Sequence, residues 1–283
     1  MPQNNERAPR TAAWREELRK AMTAKERAAL QRVAMPELDP AYRITCNEEV
    51  NSGITRAQAI AEATRCMDCP DPQCVNGCPV NIDIPGFIKN IQRGDIDEAA
   101  RVLRDTSALP AVCGRVCPQE KQCESRCIYN KMKKQPVAIG YLERFAADNA
   151  RTETDAAGIK PNGIKIAVAG SGPAGLSFAG EMARQGFDVT VYEALHEIGG
   201  VLKYGIPEFR LPNTIVDREI HSLEAIGVHF VKDCIVGKTL SSDDLTDMGF
   251  KGLFVASGAG LPRFMGIPGE NFIGVMSSNE YLT

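Results

Sequence analysis

Apolar positions recur with a helical period through the first half of the chain, whereas beyond residue 163 they gather into short runs. Between residues 11 and 33, Trp14, Leu18, Met22, Leu30 and Val33 are spaced among Ala, Glu, Lys and Arg. This pattern predicts one helix, ended by Met35-Pro36 because a residue before proline is pushed out of the helical region. Thr55 is placed to cap a second helix running to about Arg65. Further helices are expected over Pro85 to Gln92, Ile96 to Arg104 and Pro136 to Ala147. Residues 1–150 therefore read as an α-helical domain.

Residues 151–162 lose periodicity and carry Gly158 and Pro161, the signature of a linker. Over residues 163–283 the character changes. Ile164 to Ala169 predicts a strand, Pro173 to Arg184 a helix and Asp188 to Tyr192 a second strand, a β-α-β order of about 30 residues. A helix from Thr214 to Ala225 and strands near Val228 to Lys232 and Gly252 to Ala256 follow. The expected fold class is an α+β multidomain protein, with a helical module ahead of an α/β domain of Rossmann type.

Composition narrows the function. The formal charge of the 283 residues is -3, with acidic and basic residues interspersed, so no basic stripe suggests nucleic acid. Met1 to Arg10 is polar and lacks the apolar core of a secretory signal, and no stretch has the length of a membrane span. The expected compartment is the cytoplasm, where structural disulfides are uncommon. Ten cysteines need another explanation, and nine of them precede residue 150.

Eight of the nine fall into two groups: Cys66, Cys69, Cys74 and Cys78 before Pro79, then Cys113, Cys117, Cys123 and Cys127. A [4Fe–4S] cube needs soft anionic ligands at its iron corners, and a turn such as Cys66 to Cys69 can present two. In two-cluster ferredoxins the cysteine before proline ligates the other cluster. By that analogy Cys66, Cys69 and Cys74 share one cluster and Cys78 crosses to the second. Zinc is the competing reading, but it favours paired two-residue spacings and only one occurs here.

The stretch from Lys165 to Gly175 matches strand, G-x-G-x-x-G, helix. Gly170 permits the tight turn, Gly172 lets a pyrophosphate approach the backbone and Gly175 lets the helix pack on the strand. Pro173 and Ala174 open that helix, whose free amides face the phosphates. Glu193, 23 residues after Gly170, is placed to accept hydrogen bonds from an adenosine ribose, which disfavours a 2′-phosphate. These features do not separate FAD from NAD. The chemistry favours FAD, because a flavin takes electrons in pairs and passes them singly to iron–sulfur clusters.

Several motifs in one order resemble the small, or beta, subunit of NADPH-dependent glutamate synthase. They are Cys66 to Pro79, Cys113-Gly114-Arg115-Val116-Cys117-Pro118, Gly170 to Gly175, Lys203 to Pro212 and Ala256 to Glu270. Related modules occur in dihydropyrimidine dehydrogenase, ferredoxin-NADP oxidoreductases and sulfide dehydrogenase-like proteins. The resemblance implies two [4Fe–4S] clusters, one held by Cys66, Cys69, Cys74 and Cys127, the other by Cys78, Cys117, Cys123 and Glu143. Cys113 is the alternative that counting alone nominates for the last place. It also implies backbone contacts to FAD from Gly200 and Leu202 and a flavin-side loop at Ala256, Ser257 and Gly258.

By the same resemblance, electrons pass from NADPH through FAD and the two clusters to a flavin-bearing large subunit that forms glutamate. No side-chain triad for nucleophilic catalysis is visible, which fits chemistry done by cofactors. In the family a second dinucleotide domain, for NADPH, interrupts the flavin domain; this sequence ends near where that insertion begins. The expectation is a truncated chain with an incomplete FAD domain that does not bind NADPH by itself. Another flavin and iron–sulfur oxidoreductase module, or a zinc-containing NAD-binding protein, are the alternative functions. His221 and His229 are read as packing or surface residues, Cys234 as a small core residue, and His196 receives no chemistry.

Overall fold

The computed structural model describes residues 8–151 and 158–282. The chain divides into two compact units, Met1–Glu153 and Thr154–Thr283. Half of the expected linker, 152–157, lies outside the described residues.

The first unit is helical. Its elements are α1 (Ala13–Lys20), α2 (Ala24–Ala29), α3 (Pro40–Arg43), α4 (Arg56–Arg65), α5 (Gln73–Asn76), α6 (Ile84–Arg93), α7 (Ile96–Arg104), α8 (Pro110–Val116), α9 (Ile128–Lys131) and α10 (Ile139–Asn149). The helix expected over residues 11–33 is two helices. Thr23 starts the second with a reciprocal capping box, its hydroxyl accepting from Glu26 N–H while the Glu26 carboxylate accepts from Thr23 N–H. Thr55 and Gln58 cap α4 in the same way. Asp83 caps α6, Gly94 ends it in the left-handed region at φ 85°, and Asp95 caps α7. The expected Pro136 start of the last helix moves to Ile139, because the preceding backbone is engaged elsewhere: Ala138 N–H donates to buried Glu62 at 2.8 Å.

These helices enclose one core. Phe87, Ile88 and Ile91 on α6 meet Ala59 and Ala63 on α4, Leu103 on α7, and Leu142 and Phe145 on α10. The short α8, absent from the sequence expectation, packs against α10 at closest approach. A Cβ on Gly114 would lie 2.5 Å from the backbone nitrogen of Arg144, so only glycine allows this crossing.

The second unit holds a four-stranded parallel sheet of order β3-β2-β1-β4: β1 (Lys165–Ala169), β2 (Asp188–Tyr192), β3 (Val228–Val231) and β4 (Phe250–Val255). Five helices accompany it: α11 (Pro173–Arg184), α12 (Val201–Tyr204), α13 (Asn213–Ala225), α14 (Ser242–Asp247) and α15 (Ser278–Leu282). Ala167, Val168, Val189, Val191, Leu176 and Ala179 are fully buried between sheet and helix. Strand β2 lies on one side of β1 and β4 on the other, so the strand order reverses beside β1. Such a reversal opens a crevice at the carboxyl ends of the strands.

Gly114→Ala forces α8 and α10 apart, with an expected cost of about 1–3 kcal/mol. Gly252→Ala is the control, since its added methyl meets nothing within 4 Å. Thermal unfolding of the two variants checks this: only Gly114→Ala should lower the midpoint.

Candidate functional site

Four thiols come together in the first unit. Cys66 ends α4, Cys69 lies in the loop that follows, Cys74 sits on α5, and Cys127 closes a 3-10 turn before α9. All four line one cavity, whose walls include Ile84, Pro85 and Ile88 of α6 and Ile128, Tyr129, Val137 and Ile139. Cys78, Cys117 and Cys123 are not in its wall, although Cys78 is only four residues beyond Cys74. Among the described residues no three acidic, thiol or imidazole side chains close on a single point; these thiols surround a shared space instead.

Burial pushes the Cys74 thiol far up, and Cys66, Cys127 and Cys69 reinforce it by repulsion between thiolates. Cys69 is raised by burial and then by Cys66 and Cys127, and Cys127 is raised chiefly by burial. The cavity by itself therefore favours neutral thiols, and a fourfold thiolate set requires cationic metal between them. Four sulfur donors in a largely apolar wall, joined at its edge by the cations Arg126 and Lys131, fit an iron–sulfur cluster.

The remaining ligand candidates form a second neighbourhood. Burial pushes the Cys123 thiol up to about 12, and the charges that reinforce this are Glu143, then Glu124 and Cys78. Glu143, on α10, is 6% exposed. The turn leading to Cys78 packs on the Cys123 loop, since a Cβ on Gly77 would lie 2.7 Å from the Gln122 carbonyl oxygen. Cys117 ends α8. Cys113 lies one helical turn earlier, with the Ser107 hydroxyl 3.9 Å from its sulfur. A buried network ties α8 to α10: Arg115 donates to Glu49 at 2.9 Å and to Asp148 at 2.7 Å, and Arg144 meets Glu49 at 3.0 Å.

The sequence reading missed the charges around the cavity. Asp68, fully buried and at φ 50°, lies in the Cys66–Cys69 loop and is bound by Arg15 and Arg19, each at 2.5 Å. An acid inside a cysteine turn was the one available signal. Arg15 and Arg19 looked like the solvated face of an amphipathic helix.

In the second unit the three expected stretches meet at the glycine-rich turn. Gly170, at φ 104°, turns the chain out of β1, and a Cβ there would lie 2.4 Å from the Ala256 carbonyl oxygen. Ala256, Ser257 and Gly258 follow β4, with Ala256 N–H donating to Ala169 O at 2.8 Å. A Cβ on Gly175 would lie 2.0 Å from Gly170 O, whereas one on Gly172 would meet nothing within 4 Å. This is a crowded turn with open space at its second glycine, the form that receives a pyrophosphate. Pro173 and Ala174 are exposed at the start of α11. Gly200, at φ 52°, packs on the turn, its place for a Cβ only 2.9 Å from Gly172 Cα. Leu202 buries its side chain and donates its N–H to Gly199 O.

Glu193 follows β2 and braces the turn. One carboxylate oxygen accepts from Ser171 N–H at 2.8 Å and from the Ser171 hydroxyl at 2.5 Å; the other accepts from Leu195 N–H at 2.9 Å. Gly199 N–H donates to the Ser171 hydroxyl at 2.9 Å. The latter carboxylate oxygen keeps a lone pair for a further donor.

Residues 43–155 match the family described as dihydropyrimidine dehydrogenase domain II, 4Fe-4S cluster, and residues 164–282 match pyridine nucleotide-disulphide oxidoreductase. The two matches stand in one order, an iron–sulfur domain model followed by a pyridine-nucleotide oxidoreductase model. Among curated relatives, the chain is 35% identical over 256 residues to the glutamate synthase [NADPH] small chain of Escherichia coli K12, covering 89% of this chain and 54% of that one. It is 40% identical over 223 residues to the NAD-dependent dihydropyrimidine dehydrogenase subunit PreT of Escherichia coli O157:H7, covering 77% and 54%. It is 37% identical over 240 residues to UacF of Escherichia coli K12, named as an oxidoreductase, covering 83% and 37%. The chain therefore spans about half the length, or less, of these relatives. Among the described residues no helix is long and apolar enough to cross a membrane.

Ser171→Ala removes the hydroxyl shared by Glu193 and Gly199 in a buried setting. The expected loss is about 1–3 kcal/mol of stability, read by chemical denaturation followed through the second unit, together with weaker dinucleotide binding.

Proposed function

We propose that this chain is the electron-transfer portion of a flavin and iron–sulfur oxidoreductase. The observation that carries the reading is the convergence of Cys66, Cys69, Cys74 and Cys127 on one largely apolar cavity, where spacing alone left the grouping open. These four hold one [4Fe–4S] cluster. Cys78, Cys117, Cys123 and Glu143 hold a second, with the Cys123 and Glu143 neighbourhood in support. Glu143 supplies a harder oxygen ligand than thiolate, and the Gly114 crossing with the Arg115 and Arg144 network fixes α10, which carries it.

The second unit holds FAD. Gly170, Gly172, Pro173, Ala174 and Gly175 receive its pyrophosphate at the start of α11, and Glu193 takes the adenosine ribose while Ser171 and Leu195 fix its orientation. Gly200, Leu202, Ala256, Ser257 and Gly258 border the crevice beside β1. In the whole protein, bound FAD would take the electron pair of one hydride from NADPH and the clusters would pass the two electrons singly to a partner.

For the partner we favour a glutamate synthase large subunit, because the similarity to the small chain extends over 89% of this chain. The 40% identity to the dihydropyrimidine dehydrogenase subunit supports a second reading, in which the same module serves a pyrimidine-reducing partner.

Anaerobic reconstitution of the full chain tests the reading. Iron and acid-labile sulfide sufficient for two clusters are expected, with bound FAD and two low-temperature EPR signals after reduction. Cys74→Ala should abolish one signal and Cys123→Ala the other, while Glu143→Ala alters only the latter. Zinc bound without sulfide would overturn the assignment.

A further inference from the structure

Two cations are buried beside the four-thiol cavity without a carboxylate partner among the described residues. Lys89, on α6 next to the cavity-lining Ile88, is fully buried. Its ammonium donates to the backbone carbonyl of Cys66 at 2.6 Å and to the Gln92 amide oxygen at 2.7 Å. Arg27, 2% exposed, donates to the backbone carbonyls of Met22, Thr64 and Leu18. Every acceptor of both side chains is neutral. The buried carboxylates nearby are already matched, Asp68 by Arg15 and Arg19, and Glu62 by Arg65 at 2.5 Å.

A buried cation without a counter-charge is costly, and proteins retain such groups where an anion completes them. The missing anion has a place. A [4Fe–4S] core with four thiolates carries net negative charge, which grows by one unit when it takes one electron, with no bond made or broken. Around the Cys123 loop and α8 the half-buried Arg32 is already matched by Glu124 at 2.9 Å, and the buried Arg115 by Glu49 at 2.9 Å and Asp148 at 2.7 Å.

We propose that Lys89 and Arg27 are the built-in counter-charges of the cluster bound by Cys66, Cys69, Cys74 and Cys127, making it the higher-potential member of the pair and the relay electrically polarised. This rests on the reading that the cavity holds an iron–sulfur cluster. Lys89, bonded to the carbonyl of a ligand residue, is the more direct of the two. Fixed positive charge stabilises the reduced, more negative cluster more than the oxidised one, so it raises the potential.

The test is an EPR-monitored redox titration of the reconstituted full chain. In the unmodified protein, the transition that Cys74→Ala abolishes should be the one at higher potential. Lys89→Met should shift that transition downward and leave the other in place, and Lys89→Arg should restore it. Reversed order in the unmodified protein overturns the proposal, as does a Lys89→Met variant that moves neither transition or both equally. If Lys89→Met fails to take up iron, the order in the unmodified protein decides alone. Absence of labile sulfide from the unmodified protein would instead overturn the cluster reading itself, which separates the two failures.

Discussion

Cys127 must reach Cys66, Cys69 and Cys74 across at least 53 residues of chain, and the first unit is arranged around that meeting. Ordering such a loop costs conformational entropy that local contacts cannot repay. The repayment comes from the core of α4, α6, α7 and α10, whose apolar faces bring the segment after Cys117 back over α4. Tyr129, two residues beyond Cys127, is fully buried, and its hydroxyl reaches the carbonyls of Arg27 and Arg65 at 2.9 and 2.7 Å. Arg65 lies over the Tyr129 ring at 4.7 Å and is itself held by Glu62. The position of the fourth thiol is thus set by buried polar contacts to α2 and α4, not by its own short turns.

The second unit solves a different problem, that of bringing three backbone segments together at close range while leaving open space at Gly172. Strand order reverses at β1, and the turns after β1 and β4 meet there with glycine at the points of contact. The Ser171 hydroxyl and the Glu193 carboxylate lock this arrangement from within. Buried polar groups that satisfy one another hold a geometry more sharply than apolar packing does. A turn fixed in this way needs little reorganisation when a ligand arrives.

Legibility in the sequence followed how local each signal was. The β-α-β unit, its glycines and the caps of α4 and α11's strand-to-helix setting lay within a few residues of one another and could be read directly. The Thr23 and Glu26 capping box was equally local, yet apolar spacing across it suggested one continuous helix over residues 11–33. Helix α8 was invisible because seven residues with an internal glycine have weak intrinsic preference, and it persists by packing on α10. The grouping of cysteines depended on tertiary contact, so spacing left it open and only family resemblance paired Cys127 with the first group. Buried cations such as Lys89 and Arg27 were least legible, because on a helix they look the same as residues that face water.

The clasp of Arg15 and Arg19 on Asp68 has a bearing on how such modules are inherited. The family match begins at residue 43, and every cysteine of the two groups lies within it, yet the arginines that neutralise the carboxylate between the first two cysteines come from α1, well upstream. A gene fusion that carried over only the matched segment would move all eight clustered cysteines and strand a buried anion. The heritable unit is therefore longer than the cysteine pattern, and the N-terminal arm has to travel with it.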